Sequence, residues 1–335
     1  MPRMRMNQAI VAALHDEMKE DSSVIVFGED VAEAGGPFKT SDGLLAAFGA
    51  SRVRDTPISE MAFLGAAVGA AATGLRPVVE IMFVEFLGVA LDQLTTEAAK
   101  FHYLSNGQIK VPITVRASIG AGLGFGCQHS QTMETWMMGT PGLKLVVPSG
   151  PQSAYGLLRA AIRDNNPVVV LEPRVLYAQR AEVKTGVDQI IRIGEASIVA
   201  EGEDVTIVAL GSTVGTAIEA ASKSEWSATI VDLQSLVPWD VDAVEASVRQ
   251  TGRLVIVEEN PYSGGWGADI AAEIGTRLFR ELAAPILRIT SPDVPVPFGK
   301  ELENWYRPNA AYVARQVTDY LKRDTIPPHW WEDQQ

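Results

Sequence analysis

The chain has 335 residues, 47% hydrophobic and 21% charged, a composition that supports at least one large buried core. Two domains are the expectation at this length. A formal net charge of −13 disfavours nonspecific binding to nucleic acid or to an anionic membrane surface, and Cys127 as the single cysteine excludes an intrachain disulfide and any multi-thiolate metal site.

Arg3 and Arg5 are followed by Asp16, Glu17, Lys19, Glu20 and Asp21 with no long apolar run, so no secretory signal is expected. The Ala- and Gly-rich stretch 61–75, closed by Arg76, is shorter than the roughly 18 residues that a membrane span needs. The expected location is cytoplasmic or an organelle matrix, where a lone thiol stays reduced. Short β-rich runs then alternate with helix-like runs at 24–27, 65–73, 77–82, 89–103, 113–118, 154–163 and 168–172. That rhythm predicts a mostly parallel sheet covered by helices. It lapses around 177–193 into charged and polar residues, which sets a linker at 181–195. Alternation resumes at 205–210, 216–224, 228–233, 241–251, 254–258, 268–278 and 286–289. The fold class is therefore α/β, with one parallel-sheet domain over 1–180 and a second over 196–335. Pro327 and Pro328 cannot be helical, and Trp330 and Trp331 need apolar cover from the chain's own body or from another subunit.

Three segments invite chemistry. The run Gly120-Ala-Gly-Leu-Gly-Phe-Gly126 follows a strand, but Phe125 stands where a dinucleotide loop needs its third glycine. Alternating glycines fit a loop of unusual φ/ψ or close approach to a ligand. Just after it, His129 lies between Gln128 and Ser130; it is either a structural histidine of a polar loop or a proton shuttle. Asp55-Thr-Pro-Ile-Ser-Glu60 precedes a helix of small residues over 62–73. Ser59 suits an N-cap, and Glu60 is either a helix-start acid or a carboxylate presented to a ligand. The small residues of that helix suit close packing against a partner copy.

Taken in order, Gly28-Glu-Asp-Val31, Asp55 to Glu60, Gly74-Leu-Arg-Pro-Val-Val-Glu80, Gln128-His-Ser-Gln131, Pro141-Gly-Leu-Lys144, Ala161 to Pro167 and Asp293-Val-Pro-Val-Pro-Phe298 resemble the β subunits of pyruvate, branched-chain 2-oxoacid and acetoin dehydrogenases, which use thiamin diphosphate. The resemblance implies a pyrimidine-binding transketolase-like domain followed by a transketolase C-terminal-like domain. It implies that Glu60 hydrogen-bonds the aminopyrimidine ring, that Phe86 packs on it, and that Glu29 is a second acid near the cofactor. His129 matches the histidine that assists reductive acylation of a lipoyl group. Ile113, Ala161, Asp164 and Asn166 match a K⁺ site found in some members. No Gly-Asp-Gly with a following asparagine is present to chelate Mg²⁺, which the resemblance assigns to an α subunit in an α₂β₂ heterotetramer. A lipoyl acyltransferase core is the further partner, with the acidic second domain expected to dock its basic binding module. One departure stands out: Gly139 occupies the position where many relatives carry a second histidine before Pro141-Gly142. It keeps open a split transketolase- or synthase-like enzyme without a lipoyl acceptor, beside a noncatalytic partner subunit as the remaining alternative.

Overall fold

The computed structural model describes residues 1–332; the last three residues of the expected second domain, 333–335, lie outside it. Contacts divide the described residues into two compact units, one of Met1–Ile119, Trp136–Ile193 and Leu236–Pro238, the other of Gly120–Thr135, Gly194–Ser235 and 239–332.

The first unit holds a seven-stranded sheet in the order Ser235–Val237, Lys144–Val146, Val168–Pro173, Thr114–Ile119, Arg76–Ile81, Val24–Gly28 and Val53–Asp55. Its pairs from Lys144–Val146 to Val53–Asp55 are all parallel. Thr114–Ile119 and Val168–Pro173 are buried along their whole length, as strands covered on both faces must be. On one face Met6, Ile10 and Leu14 of helix Met6–Glu20 pack with Leu157, Leu158 and Ile162 of helix Pro151–Arg163 over Val24, Val26 and Val78. Pro151 opens its helix at the one position where a missing N–H loses nothing. The expected helix over 89–103 is a continuous run from Leu87 to Leu104 whose middle, Gln93–Ala98, is wound as a π-helix. The expected linker is ordered at its start: Arg180–Glu182 pairs antiparallel with Arg3–Arg5.

The second unit carries a five-stranded sheet in the order Leu287–Ser291, Leu254–Pro261, Val205–Ala209, Ala228–Asp232 and Ser197–Ala200. All pairs are parallel except the edge strand Ser197–Ala200, which is antiparallel. Helices Ser212–Ser222 and Ala310–Arg323 contribute Val214, Ala217, Val313, Val317 and Tyr320 to its core. Asn309 caps the latter helix by accepting the Tyr312 N–H at 3.0 Å. Trp330 is 1% exposed, stacks on Tyr312 at 4.4 Å and donates its indole N–H to the Thr290 carbonyl at 2.9 Å, so its cover comes from the chain's own body. Among the described residues no helix is long and apolar enough to cross a membrane.

Candidate active site

In the first unit the chain passes from strand Val24–Gly28 to its neighbour Val53–Asp55 on one side, then back across to Arg76–Ile81 on the other. Such a reversal sends the two following loops apart and opens a crevice at the carboxyl ends of the strands on either side, the place where open α/β sheets bind ligands. Glu29 directly follows the first of these strands. Gly28 before it has no alternative, because a Cβ there would meet the Glu80 carbonyl oxygen at 2.5 Å. The Thr56 N–H donates to the Gly28 carbonyl at 2.9 Å, which brings the segment leading to Glu60 onto the same edge. Asp55 accepts the N–H groups of Ala32 at 2.7 Å and Glu33 at 3.1 Å and so holds the loop after Glu29. Glu60 is half-buried and begins helix Glu60–Ala72. Ser59 takes the N-cap position without the expected side-chain cap bond.

Glu29 and Glu60 are brought together. Burial, then the charges of Glu60 and Asp30, push the Glu29 carboxyl above its ordinary range, and the Ser59 backbone N–H opposes the rise. Glu29 Oε1 and Thr56 Oγ1 are buried without a hydrogen-bond partner. An acid pair in which Glu29 Oε1 is unbonded, beside the unbonded Thr56 Oγ1, suits a planar ring carrying both a donor and an acceptor. Phe86 closes the 3₁₀ turn Val84–Phe86 that leaves strand Arg76–Ile81. Its ring meets Phe83 edge-on at 5.6 Å, and Phe83 in turn meets Phe38 at 5.7 Å, an apolar wall suited to a flat ligand.

His129 belongs to the second unit, where it is half-buried and its backbone N–H donates to the Gly126 carbonyl at 3.2 Å. Ile113, Ala161, Asp164 and Asn166 meet at one corner of the first unit. The Ile113 carbonyl accepts from Val168 at 3.0 Å, that of Ala161 from the Asp164 N–H at 3.2 Å, and Asn166 donates twice to Asp164 Oδ1 at 2.9 Å. Arg76 donates to the Asp164 carbonyl at 2.9 Å and Lys144 pairs with its carboxylate. Burial works to raise the Asp164 carboxyl, but the bonds from Lys144 and Asn166 outweigh it and hold the group below the usual range. Two of the chain's own cations therefore already serve this corner. Among the described residues no cluster of three or more His, Cys, Asp and Glu is arranged for a metal ion.

Two features have no counterpart in the sequence reading. Arg116, 1% exposed, spans Glu80 at 2.7 Å and Glu172 at 2.7 and 2.8 Å, with Thr40 and Tyr177 donating to the two acids. An arginine in a strand otherwise free of charge was its only signal. Glu134 is buried against Asn260, which donates to it at 2.8 Å. Burial first, and the nearby charges of Glu259 and Glu258, push its carboxyl to about 7 against the hydrogen bond from Asn260.

Residues 3–179 match the family described as transketolase, pyrimidine binding domain, and residues 194–313 that described as transketolase, C-terminal domain. The chain is 42% identical over 333 residues to the acetoin:2,6-dichlorophenolindophenol oxidoreductase subunit beta of Cupriavidus necator, covering 96% of this chain and 98% of that protein. It is 44% identical over 318 residues to the mitochondrial pyruvate dehydrogenase E1 component subunit beta-2 of Oryza sativa, covering 93% and 85%. With the 3-methyl-2-oxobutanoate dehydrogenase subunit beta of Mycobacterium tuberculosis it shares 43% over 306 residues, covering 90% and 88%. Among solved structures, a split gene transketolase described as an inactive beta4 tetramer superposes with a TM-score of 0.74 at 26% identity, over 95% of this chain and 98% of that one.

Proposed function

Since this chain belongs to the family of β subunits of pyruvate, acetoin and branched-chain 2-oxoacid dehydrogenases, built from transketolase pyrimidine-binding and C-terminal domains, we propose that it works with an α subunit in an α₂β₂ enzyme that decarboxylates a pyruvate-type 2-oxoacid or cleaves acetoin and passes the acyl unit to a lipoyl domain. The observation that carries this reading is the acid pair Glu29–Glu60 at the sheet's reversal, with Glu29 Oε1 left buried and unpaired.

Thiamin diphosphate, the cofactor the family implies, supplies when bound the electron sink that lets the bond beside a carbonyl break. Glu60 would hydrogen-bond the ring nitrogen of its aminopyrimidine and hold the proton shared there. Glu29, raised by its burial and then by the charge of Glu60, would face the same edge, and Phe86 would cover the ring face. His129 would hold a proton for the sulfur released when a lipoyl dithiolane opens. We assign the diphosphate and Mg²⁺ to the α subunit. K⁺ at Ile113, Ala161, Asp164 and Asn166 would be an additional brace on carbonyls that keep a second lone pair. The remaining partner is a lipoyl acyltransferase core docking the second domain, in a reducing cytoplasmic setting. Nucleic acid and membrane are disfavoured as partners by the net charge of −13.

Co-expression with an α subunit of this family tests the reading, with turnover of pyruvate, branched 2-oxoacids and acetoin followed with and without thiamin diphosphate and a lipoyl domain. Cofactor-dependent acylation of the lipoyl domain is expected. Turnover of a soluble ketol acceptor, with no acylation, would instead select a split transketolase-like enzyme.

A further inference from the structure

The glycine run after strand Thr114–Ile119 has a geometry that the proposed chemistry does not use. Gly120, Gly122, Gly124 and Gly126 have φ of 91, 109, 77 and 73°, a region that side chains avoid. Successive amides in such a loop turn inward and form an anion-binding concavity. Here the anions are the chain's own. Glu303 Oε1 accepts the Gly122 N–H at 2.6 Å and its Oε2 the Gly124 N–H at 2.8 Å, while Glu259 Oε1 accepts the Ala121 N–H at 2.6 Å. Glu303 is 1% exposed. Glu259 is held from behind by the Ser212 hydroxyl at 2.9 Å and faces Arg307 at 3.6 Å. The loop's stem is closed by the Gly120 N–H on the Gln131 carbonyl at 3.0 Å, and its tip is pressed by Phe298, whose ring would meet a Cβ on Gly126 at 2.7 Å. His129 lies inside this closed loop, bonded through its backbone to Gly126. All of these residues belong to the second unit.

We propose that Glu303 and Glu259 are positioning residues for His129: two buried carboxylates that fill the glycine loop's own anion cradle and thereby fix where the imidazole is presented to the acyl acceptor. Neither acid touches substrate; each acts through the loop. A neutral side chain would not serve equally, because hydrogen bonds to an ionised acceptor are roughly twice as strong as neutral ones. The proposal rests on the proton-donor role given to His129 above.

The test uses the full chain assembled with its α subunit and the variant Glu303→Gln, which keeps the shape but turns an NH₂ group toward one of the two loop amides. Hydrogen–deuterium exchange of residues 120–128 reads the clamp directly. The ratio of lipoyl-domain acylation to dye-coupled 2-oxoacid turnover reads the positioning of His129. The loop should be protected in the unaltered chain and exchange about tenfold faster in E303Q. The acylation ratio should fall by about tenfold, and E303Q should add little further loss to His129→Gln, as for residues acting as one unit. A loop that exchanges as freely as an open one in the unaltered chain overturns the clamp without any variant. Losses from E303Q and H129Q that multiply independently overturn the positioning role. Should E303Q not fold, Ser212→Ala, which frees one oxygen of Glu259, must give the same two signs at smaller size, and no change in either overturns the proposal. An unaltered enzyme with no turnover of any 2-oxoacid or acetoin defeats the functional reading and the role of His129 with it, while the exchange measurement still decides whether the clamp exists.

Discussion

Glu134 should make this protein less stable as pH rises from about 4.5 to about 7. Its carboxyl is 3% exposed, and burial with the adjacent charges of Glu259 and Glu258 places its titration at about 7 against an ordinary value of 4.5. Between those two values the unfolded chain carries the charge and the folded chain holds the proton. The stability contributed is therefore complete below about pH 4.5 and is lost progressively as pH rises to about 7. At roughly 1.4 kcal/mol per pH unit, the gap from 4.5 to about 7 amounts to about 3 kcal/mol. Glu134→Gln removes the titration and leaves a carbonyl that still accepts from Asn260. Urea unfolding of both proteins from about pH 4 to about pH 8, with free energies extrapolated linearly, isolates the difference. The variant should match the parent at about pH 4 and be more stable by about 3 kcal/mol at about pH 8. A difference that does not change with pH would mean that Glu134 does not titrate in this range.

Other substitutions probe other parts of the structure. Arg116→Leu strands Glu80 and Glu172 in the core and should cost about 3–5 kcal/mol in the same unfolding assay; a loss below about 1 kcal/mol would mean the triad contributes little. Glu60→Gln should reduce turnover of the assembled enzyme by about 10²- to 10⁴-fold while the chain melts at the parental temperature, and full activity would remove Glu60 from the mechanism. Gly28→Ala forces a methyl group against the Glu80 carbonyl, at 2.5 Å before relaxation, and should cost about 1–3 kcal/mol; an unchanged melting temperature would contradict the close approach. Trp330→Ala should cost about 3–5 kcal/mol, measured by denaturant unfolding, and a loss under about 1 kcal/mol would show that the tail is merely laid on the surface.

The strand rhythm was legible because buried parallel strands such as Val24–Gly28 read as unbroken apolar runs between turn residues. The edge strand Ser197–Ala200, whose Ile198 and Val199 are exposed, was not anticipated. The acid at position 60 was visible through its motif, but the coupling of Glu29 to Glu60 depends on a chain reversal that no local pattern encodes. The glycine run announced an unusual backbone and failed as a phosphate loop on spacing. What its amides bind lies 138 and 181 residues further along the chain, beyond the reach of any windowed reading. Arg116 and Glu134 were hidden for the same reason: a polar residue among apolar neighbours reveals its burial only once its partners are placed.

Glu60 and Glu29 are proposed to hold an aminopyrimidine at the carboxyl ends of Val24–Gly28 and Arg76–Ile81. An experimental structure of the α–β assembly with thiamin diphosphate tests it most directly. The pyrimidine nitrogen is expected within about 3 Å of the Glu60 carboxyl, with Phe86 against the ring. A pyrimidine bound elsewhere, with Glu60 turned to solvent, would contradict it.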